Sequence, residues 1–185
     1  MANIKNLLMP PIVLAGVCAV CCVLLAAANS VTKDKITAAE NAAVQESLSG
    51  LPNAGTFEEM KDFDSPDMEK VNVSALYKDE NYQTAVLITA DGYNKGGIQA
   101  AIGIDKDGKV TGISFVSVTE TPGLGTKIQS NPELLADTLT GLSSIDDIDS
   151  CDGITGATFS SKGLKNAVKC ALETFELNKG VILDE

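Results

Sequence analysis

Apolar positions dominate the start of this chain: Leu7 to Val31 carries no charge, and Ile12 to Ala28 is almost continuously apolar. At ~1.5 Å per helical residue, such a run crosses a hydrocarbon core of ~30 Å with help from its flanks. Pro10 and Pro11 fall near its start, where a first helical turn tolerates proline. Ala26-Ala27-Ala28 resembles a signal-peptidase site. The run is longer than a signal core and continues into helix-favouring sequence, so residues 1–31 are expected to be an uncleaved membrane anchor. Neither Cys18 nor Cys21 has the upstream leucine of a lipoprotein signal, and Cys18, Cys21 and Cys22 read as small packing residues. Lys5 and the α-amine before the span nearly balance Lys33 and Lys35 after it. A short tail ahead of a single span is the signal-anchor layout, which places the domain outside the cytoplasm.

Beyond the anchor the spacing changes twice. Thr32 to Leu51 is rich in Ala, Glu, Gln and Lys, a composition for a helical stalk broken at Gly50, Pro52 and Gly55. Glu58 to Asp67 is acidic, contains Pro66 and reads as a surface loop, completing a segment over residues 32–69. Val71, Val73, Ala75 and Tyr77 then alternate at period 2, followed by Ala85 to Ile88. Gly96 to Ile104 and Val110 to Val118 flank Asp105-Lys106-Asp107-Gly108-Lys109, whose Asp-Gly pair suits a tight hairpin. A calcium loop starting at Asp105 would need its last ligand at Val116, between strands rather than helices, so the hairpin stands. Asn131 to Leu135 opens a short helix with Pro132 in its first turn, closing near Gly141. Leu164, Ala167, Val168, Ala171, Leu172 and Phe175 recur at helical spacing and predict an amphipathic helix ending near Asn178, at Lys179-Gly180. The fold class is therefore α+β: one transmembrane helix, then a small domain over residues 70–185 with a mainly antiparallel sheet and flanking helices.

Composition removes several functions. The 14 basic residues are all Lys against 25 Asp plus Glu, a net charge of −11, and nucleic-acid binding is excluded. Without histidine the chain lacks the usual general base, haem ligand and commonest metal ligand. Cys151 and Cys170, the cysteines beyond the anchor, cannot hold an iron–sulfur cluster unaided. A hydrolase reading fails because Ser160 and Ser161 have no histidine partner.

Two segments carry candidate chemistry. In Thr119 to Lys127, Gly123 and Gly125 flank Leu124, so the backbone can approach a flat ligand, with Glu120 and Thr121 as polar contacts. The loop lacks the third glycine of a dinucleotide fingerprint and the Gly-Lys-Ser/Thr order of a P-loop. The second segment is Asp152-Gly-Ile-Thr-Gly-Ala-Thr158-Phe-Ser-Ser161, just ahead of the amphipathic helix. Ser160 or Ser161 could cap that helix, and such clusters are commonly only caps. A phosphate on Thr158 would lie near free amides and the positive end of the helix dipole, with Lys162 close by. Gly156 and Ala157 leave room for a bulky adduct.

Together, Glu120-Thr-Pro-Gly-Leu-Gly125 and Asp152-Gly-Ile-Thr-Gly-Ala-Thr158 closely resemble the FMN-binding domain shared by the G subunit of the Rnf complex and the C subunit of the sodium-pumping NADH:quinone oxidoreductase. The resemblance covers about Lys70 to Leu177, and the single anchor and short chain look more like the Rnf protein. It implies that FMN is joined through its phosphate to Thr158 by a separate flavin transferase, which uses FAD and releases AMP. It also makes Glu120 and Thr121 polar contacts to the ring, Leu124 a packing contact and Thr155 a nearby hydrogen bond, with Gly123, Gly125, Gly156 and Ala157 completing the site. Many family members carry a histidine just before the Glu-Thr-Pro-Gly run, where this chain has Val118-Thr119. The implied role is electron relay, with no catalytic residue or metal of its own, in a membrane-bound, ion-translocating ferredoxin:NAD oxidoreductase. Its partners would be the other membrane subunits, one bearing a second flavin. A C-type subunit of the quinone reductase, a stand-alone extracytoplasmic flavoprotein and a cofactor-free anchored interaction module remain the alternatives.

Overall fold

The computed structural model describes residues 4–183, and the chain divides into two compact units between Ala42 and Ala43. The first unit is helical. Helix α1 (Ile4–Ser49) contains an 18-residue window of mean hydropathy 2.6 with none of it buried. Ile12, Val13, Leu14, Val17, Val20 and Val23 are all exposed, so the helix is apolar on every side, as a span facing lipid is. By length and composition it can cross a membrane once. Pro10 and Pro11 lie inside α1 rather than in its first turn, because the helix already begins at Ile4. Each proline removes one backbone donor from the ladder.

In the second unit five strands form an antiparallel meander in the order β1 (Glu58–Met60), β2 (Val71–Lys78), β3 (Thr84–Ala90), β4 (Ile98–Ile104) and β5 (Val110–Val118). The β4–β5 connection is the expected hairpin: Gly108 sits at φ +79°, and the Asp105 carboxylate accepts the Asp107 and Lys109 amides at 3.0 and 2.8 Å. Two sequence expectations change here. The acidic segment from Glu58 is not all loop, since Glu58–Met60 adds an edge strand to β2. The alternation Val71, Val73, Ala75, Tyr77 does not keep to one face either. A bulge between Val73 and Ala75 reverses the parity, so Val71, Val73 and Leu76 face the main core while Ala75 and Tyr77 face the opposite side.

The main core lies between the sheet and α5 (Thr158–Ile182), which packs on β2, β3 and β4. Val86, Ile88, Ile102 and Ile104 meet Leu164, Ala167, Val168, Ala171 and Phe175, the residues whose spacing predicted the helix. Burying a side chain as large as Phe175 stabilises by about 1.5–3 kcal/mol. Small helices close the edge of this core: α2 (Lys127–Ser130), a 3₁₀ turn (Pro132–Leu134), α3 (Ala136–Leu139) and α4 (Ile145–Ser150). The single helix expected near Asn131 is thus a 3₁₀ turn at Pro132 followed by α3. On the opposite sheet face Leu48 and Leu51 pack against Ala75, Ala85, Leu87 and Ala101.

Helix α5 runs past Lys179-Gly180 to Ile182. Gly180 weakens a helix interior by about 1 kcal/mol, but Ile182 is fully buried and its burial outweighs that loss. Asn178 fastens the same end, accepting the Asp64 amide at 2.9 Å and donating to the Asp64 carbonyl at 2.7 Å. Midway along α5, burial pushes the Cys170 thiol up to about 11. A thiol reagent at pH 8 is therefore expected to spare Cys170 in the native chain and to label it only on unfolding, as read by peptide mapping. Labelling of Cys170 in the native chain would contradict this packing.

Candidate functional site

Three loops meet at the head of α5. The first joins β3 to β4 through Asp91-Gly-Tyr-Asn-Lys-Gly-Gly97, where the Asp91 carboxylate accepts the Gly96 amide at 2.6 Å. The second leaves β5 at Thr119 and turns through Gly123, at φ +73°, with the Gly123 amide donating to Thr126 Oγ1 at 3.0 Å. The third is the turn Ile154–Ala157, closed by the Ala157 amide on the Ile154 carbonyl at 2.9 Å, with Gly156 at φ +83° in its third position. That conformation favours glycine, and it delivers the chain directly into α5 at Thr158.

Between these loops lies a cavity of about 450 Å³ lined by Tyr93, Thr121, Leu124, Gly125, Gly156, Ala157, Thr158, Phe159 and Ser160. Its size is that of a small-ligand or cofactor site, and its lining is mostly apolar with a few hydroxyls, the usual make-up of such sites. Thr158 is exposed and is the first residue of α5; among the described residues no side chain caps this end of the helix. The first-turn amides of α5 are thus not taken by a side chain, and with the helix dipole they favour an anion beside Thr158. The residues fit FMN: a hydroxyl and an uncapped helix head for its phosphate, and apolar walls for its ring.

Six of the expected site residues line this cavity: Thr121, Leu124, Gly125, Gly156, Ala157 and Thr158. Gly123 shapes the loop without lining the cavity, and Thr155 is exposed in the second position of its turn. Glu120 lies behind the wall, only 4% exposed. Its carboxylate accepts the Tyr93 and Asn94 amides, each at 3.0 Å, and the Ser160 hydroxyl. The two serines do not cap α5 as expected, because both turn inward: Ser160 to Glu120, and Ser161 to accept the Ile154 amide at 2.9 Å.

Sequence reasoning missed the aromatic wall. Tyr93 and Phe159 are 70% and 63% exposed, and their rings meet edge to face with centroids 6.2 Å apart. Phe159 stands off the apolar stripe of its helix, and Tyr93 is an aromatic in a glycine-rich turn. An aromatic placed off the helix stripe, or within a glycine-rich turn, was the available signal.

Below the site, α4 is tied to α5. Lys165 Nζ donates to the Asp149 and Cys151 carbonyls at 2.9 and 2.8 Å, and Lys169 pairs with the Asp149 carboxylate. The Lys169 hydrogen bond holds the exposed Asp149 carboxyl below its ordinary range. The pair contributes above the ordinary carboxylate pKa and fades as pH falls through the lowered value. Solvent screening keeps its contribution small.

An FMN-binding domain family matches residues 92–173, which contain most of these loops and the greater part of α5. Among similar proteins, the G subunit of the ion-translocating oxidoreductase complex of Vibrio vulnificus is 31% identical over 188 residues, 88% of this chain and 86% of that protein. The protein of the same name from Shewanella piezotolerans is 35% identical over 52% of this chain and 50% of its own length. The G subunit of the proton-translocating ferredoxin:NAD(+) oxidoreductase complex of Clostridium ljungdahlii is 33% identical over 50% of this chain and 54% of its own. The chain thus spans about half the length of these last two relatives.

Proposed function

Because this chain belongs to the family of G subunits of ion-translocating oxidoreductase complexes, we propose that it is a single-pass membrane electron carrier with FMN bound covalently through Thr158. The observation that carries this reading is the exposed Thr158 at an uncapped helix head, lining a mostly apolar cavity inside an FMN-binding domain. In the attachment step a bond forms between Thr158 Oγ and the FMN phosphorus of FAD while the pyrophosphate link breaks. AMP leaves and the hydroxyl proton passes to solvent, with a flavin transferase as catalyst. The first-turn amides of α5 hold the phosphate, and the turn at Gly156 keeps bulk away from it. Leu124, Tyr93 and Phe159 shield the ring from water, while Thr121 and Thr155 offer polar contacts. Bound FMN supplies the redox chemistry that this histidine-free chain lacks.

In this reading residues 1–31 anchor the chain, residues 32–69 form the stalk and acidic segment, and residues 70–185 are the flavin domain on the extracytoplasmic side. The chain relays electrons within an Rnf complex that exchanges them between ferredoxin and NAD while moving an ion. Its partners are the other membrane subunits, including one with a second flavin. A direct test is flavin fluorescence in a denaturing gel of the full chain co-expressed with a flavin transferase. A fluorescent band is expected. A dark band, with the transferase active on another target, removes the covalent attachment, and a colourless native chain as well would return it to a cofactor-free anchored module.

A further inference from the structure

We propose that Glu120 is a positioning residue of the flavin site, acting through the pocket walls rather than on the ring; the inference rests on the FMN reading of the cavity. The carboxylate is buried where three loops meet; its partners come from two of the walls and its own loop forms the third. The Tyr93 and Asn94 amides belong to the β3–β4 loop that presents the Tyr93 ring. The Ser160 hydroxyl belongs to the first turn of α5, between Phe159 and the body of the helix and two residues beyond Thr158. Glu120 itself begins the loop that presents Thr121, Leu124 and Gly125. One side chain therefore sets the spacing between the aromatic pair, the Leu124 loop and the attachment threonine.

The surroundings leave the carboxylate nowhere else to go. A Cβ placed on Gly92 would lie 2.8 Å from its Cδ, and one on Gly125 would lie 2.7 Å from its Oε2 and 2.6 Å from Ser160 Oγ. A Cβ on Gly97 would fall closer still to Oε1. Glycine at these positions lets three backbone segments close on one acid. The named partners are amides and a hydroxyl, none of them a cation, so the acid places negative charge behind the flavin pocket. Charge there opposes reduction, which adds negative charge to the ring.

The test uses the full chain, co-expressed with an active flavin transferase, as wild type, Glu120→Gln and Ser160→Ala. The glutamine variant is expected to keep the fold by far-ultraviolet circular dichroism. Its rate of flavin attachment should fall about tenfold, the scale of one charge-assisted hydrogen bond. Once loaded, its flavin should lose visible circular dichroism, fluoresce more strongly and titrate at a more positive potential. Ser160→Ala should weaken the visible dichroism in the same direction, with a smaller change in potential because the charge remains. A loaded Glu120→Gln chain with wild-type dichroism and potential overturns the assignment. If that variant fails to fold or load, Ser160→Ala decides, and a wild-type flavin spectrum there overturns it equally. A wild-type chain that takes up no flavin is a different failure: it removes the FMN reading itself, and this inference with it.

Discussion

Thr158→Ala is expected to abolish covalent flavin on the chain, whereas Thr158→Ser retains it. Transfer of a phosphoryl group to the chain needs a free hydroxyl beside the helix head, and the neighbouring hydroxyls are already committed. Ser160 donates to Glu120 and Ser161 accepts the Ile154 amide, both within the buried interior. Thr155 is exposed but lies in the preceding turn, away from the first-turn amides of α5. Removing the Thr158 oxygen therefore leaves no uncommitted hydroxyl at the helix head, and Thr121, across the cavity on another loop, is not at the first turn of α5. Serine keeps that oxygen and loses only a methyl group. Intact mass of the denatured chains checks both variants, and flavin persisting on the alanine chain would show attachment elsewhere.

Gly163→Ala should lower the stability of the folded domain by about 2 kcal/mol, although alanine is the better helix former by about 1 kcal/mol. Gly163 is the point where α5 crosses the loop that leads to Tyr93. A Cβ there would be pressed into the Asp91 carbonyl oxygen and would lie 3.0 Å from Ile98 Cδ1. The carbonyl belongs to a residue that also receives the Gly96 amide on its side chain and donates its own amide to Lys70. It cannot move away as a flexible side chain would, so overpacking outweighs the gain in helix propensity. For a domain of this size the melting temperature should fall by roughly 5–10 °C. Thermal unfolding of the full chain in detergent measures it; an unchanged or raised midpoint would show that α5 and the β3–β4 loop are not in close contact.

Much of this architecture could be read from local pattern. The apolar run of α1, the Asp107-Gly108 hairpin and the stripe from Leu164 to Phe175 each follow from spacing that backbone geometry imposes. Thr121, Leu124 and Gly125 meet residues 156–158 at the cavity, and each motif carries its own turn glycine, Gly123 and Gly156. What could not be read depends on contacts between distant segments. The bulge beyond Val73 reverses which side chains of β2 meet the core, and nothing in a run of alternating residues marks it. Gly180 reads as a helix stop until Ile182 is seen to be buried. Glu120 reads as a ligand contact because a carboxylate in a glycine loop is expected to face solvent or substrate. Its actual partners lie 26 to 40 residues away in sequence, at Tyr93, Asn94 and Ser160. The aromatic wall of Tyr93 and Phe159 arises in the same way, from the approach of a strand connection to a helix head.

Covalent attachment at Thr158 is tested most directly by mass spectrometry of the tryptic peptide 128–162 from wild-type chain made with an active flavin transferase. An increase equal to FMN less one water is expected, with fragment ions placing it on Thr158. An unmodified peptide, or the same mass carried on another residue, would contradict that attachment.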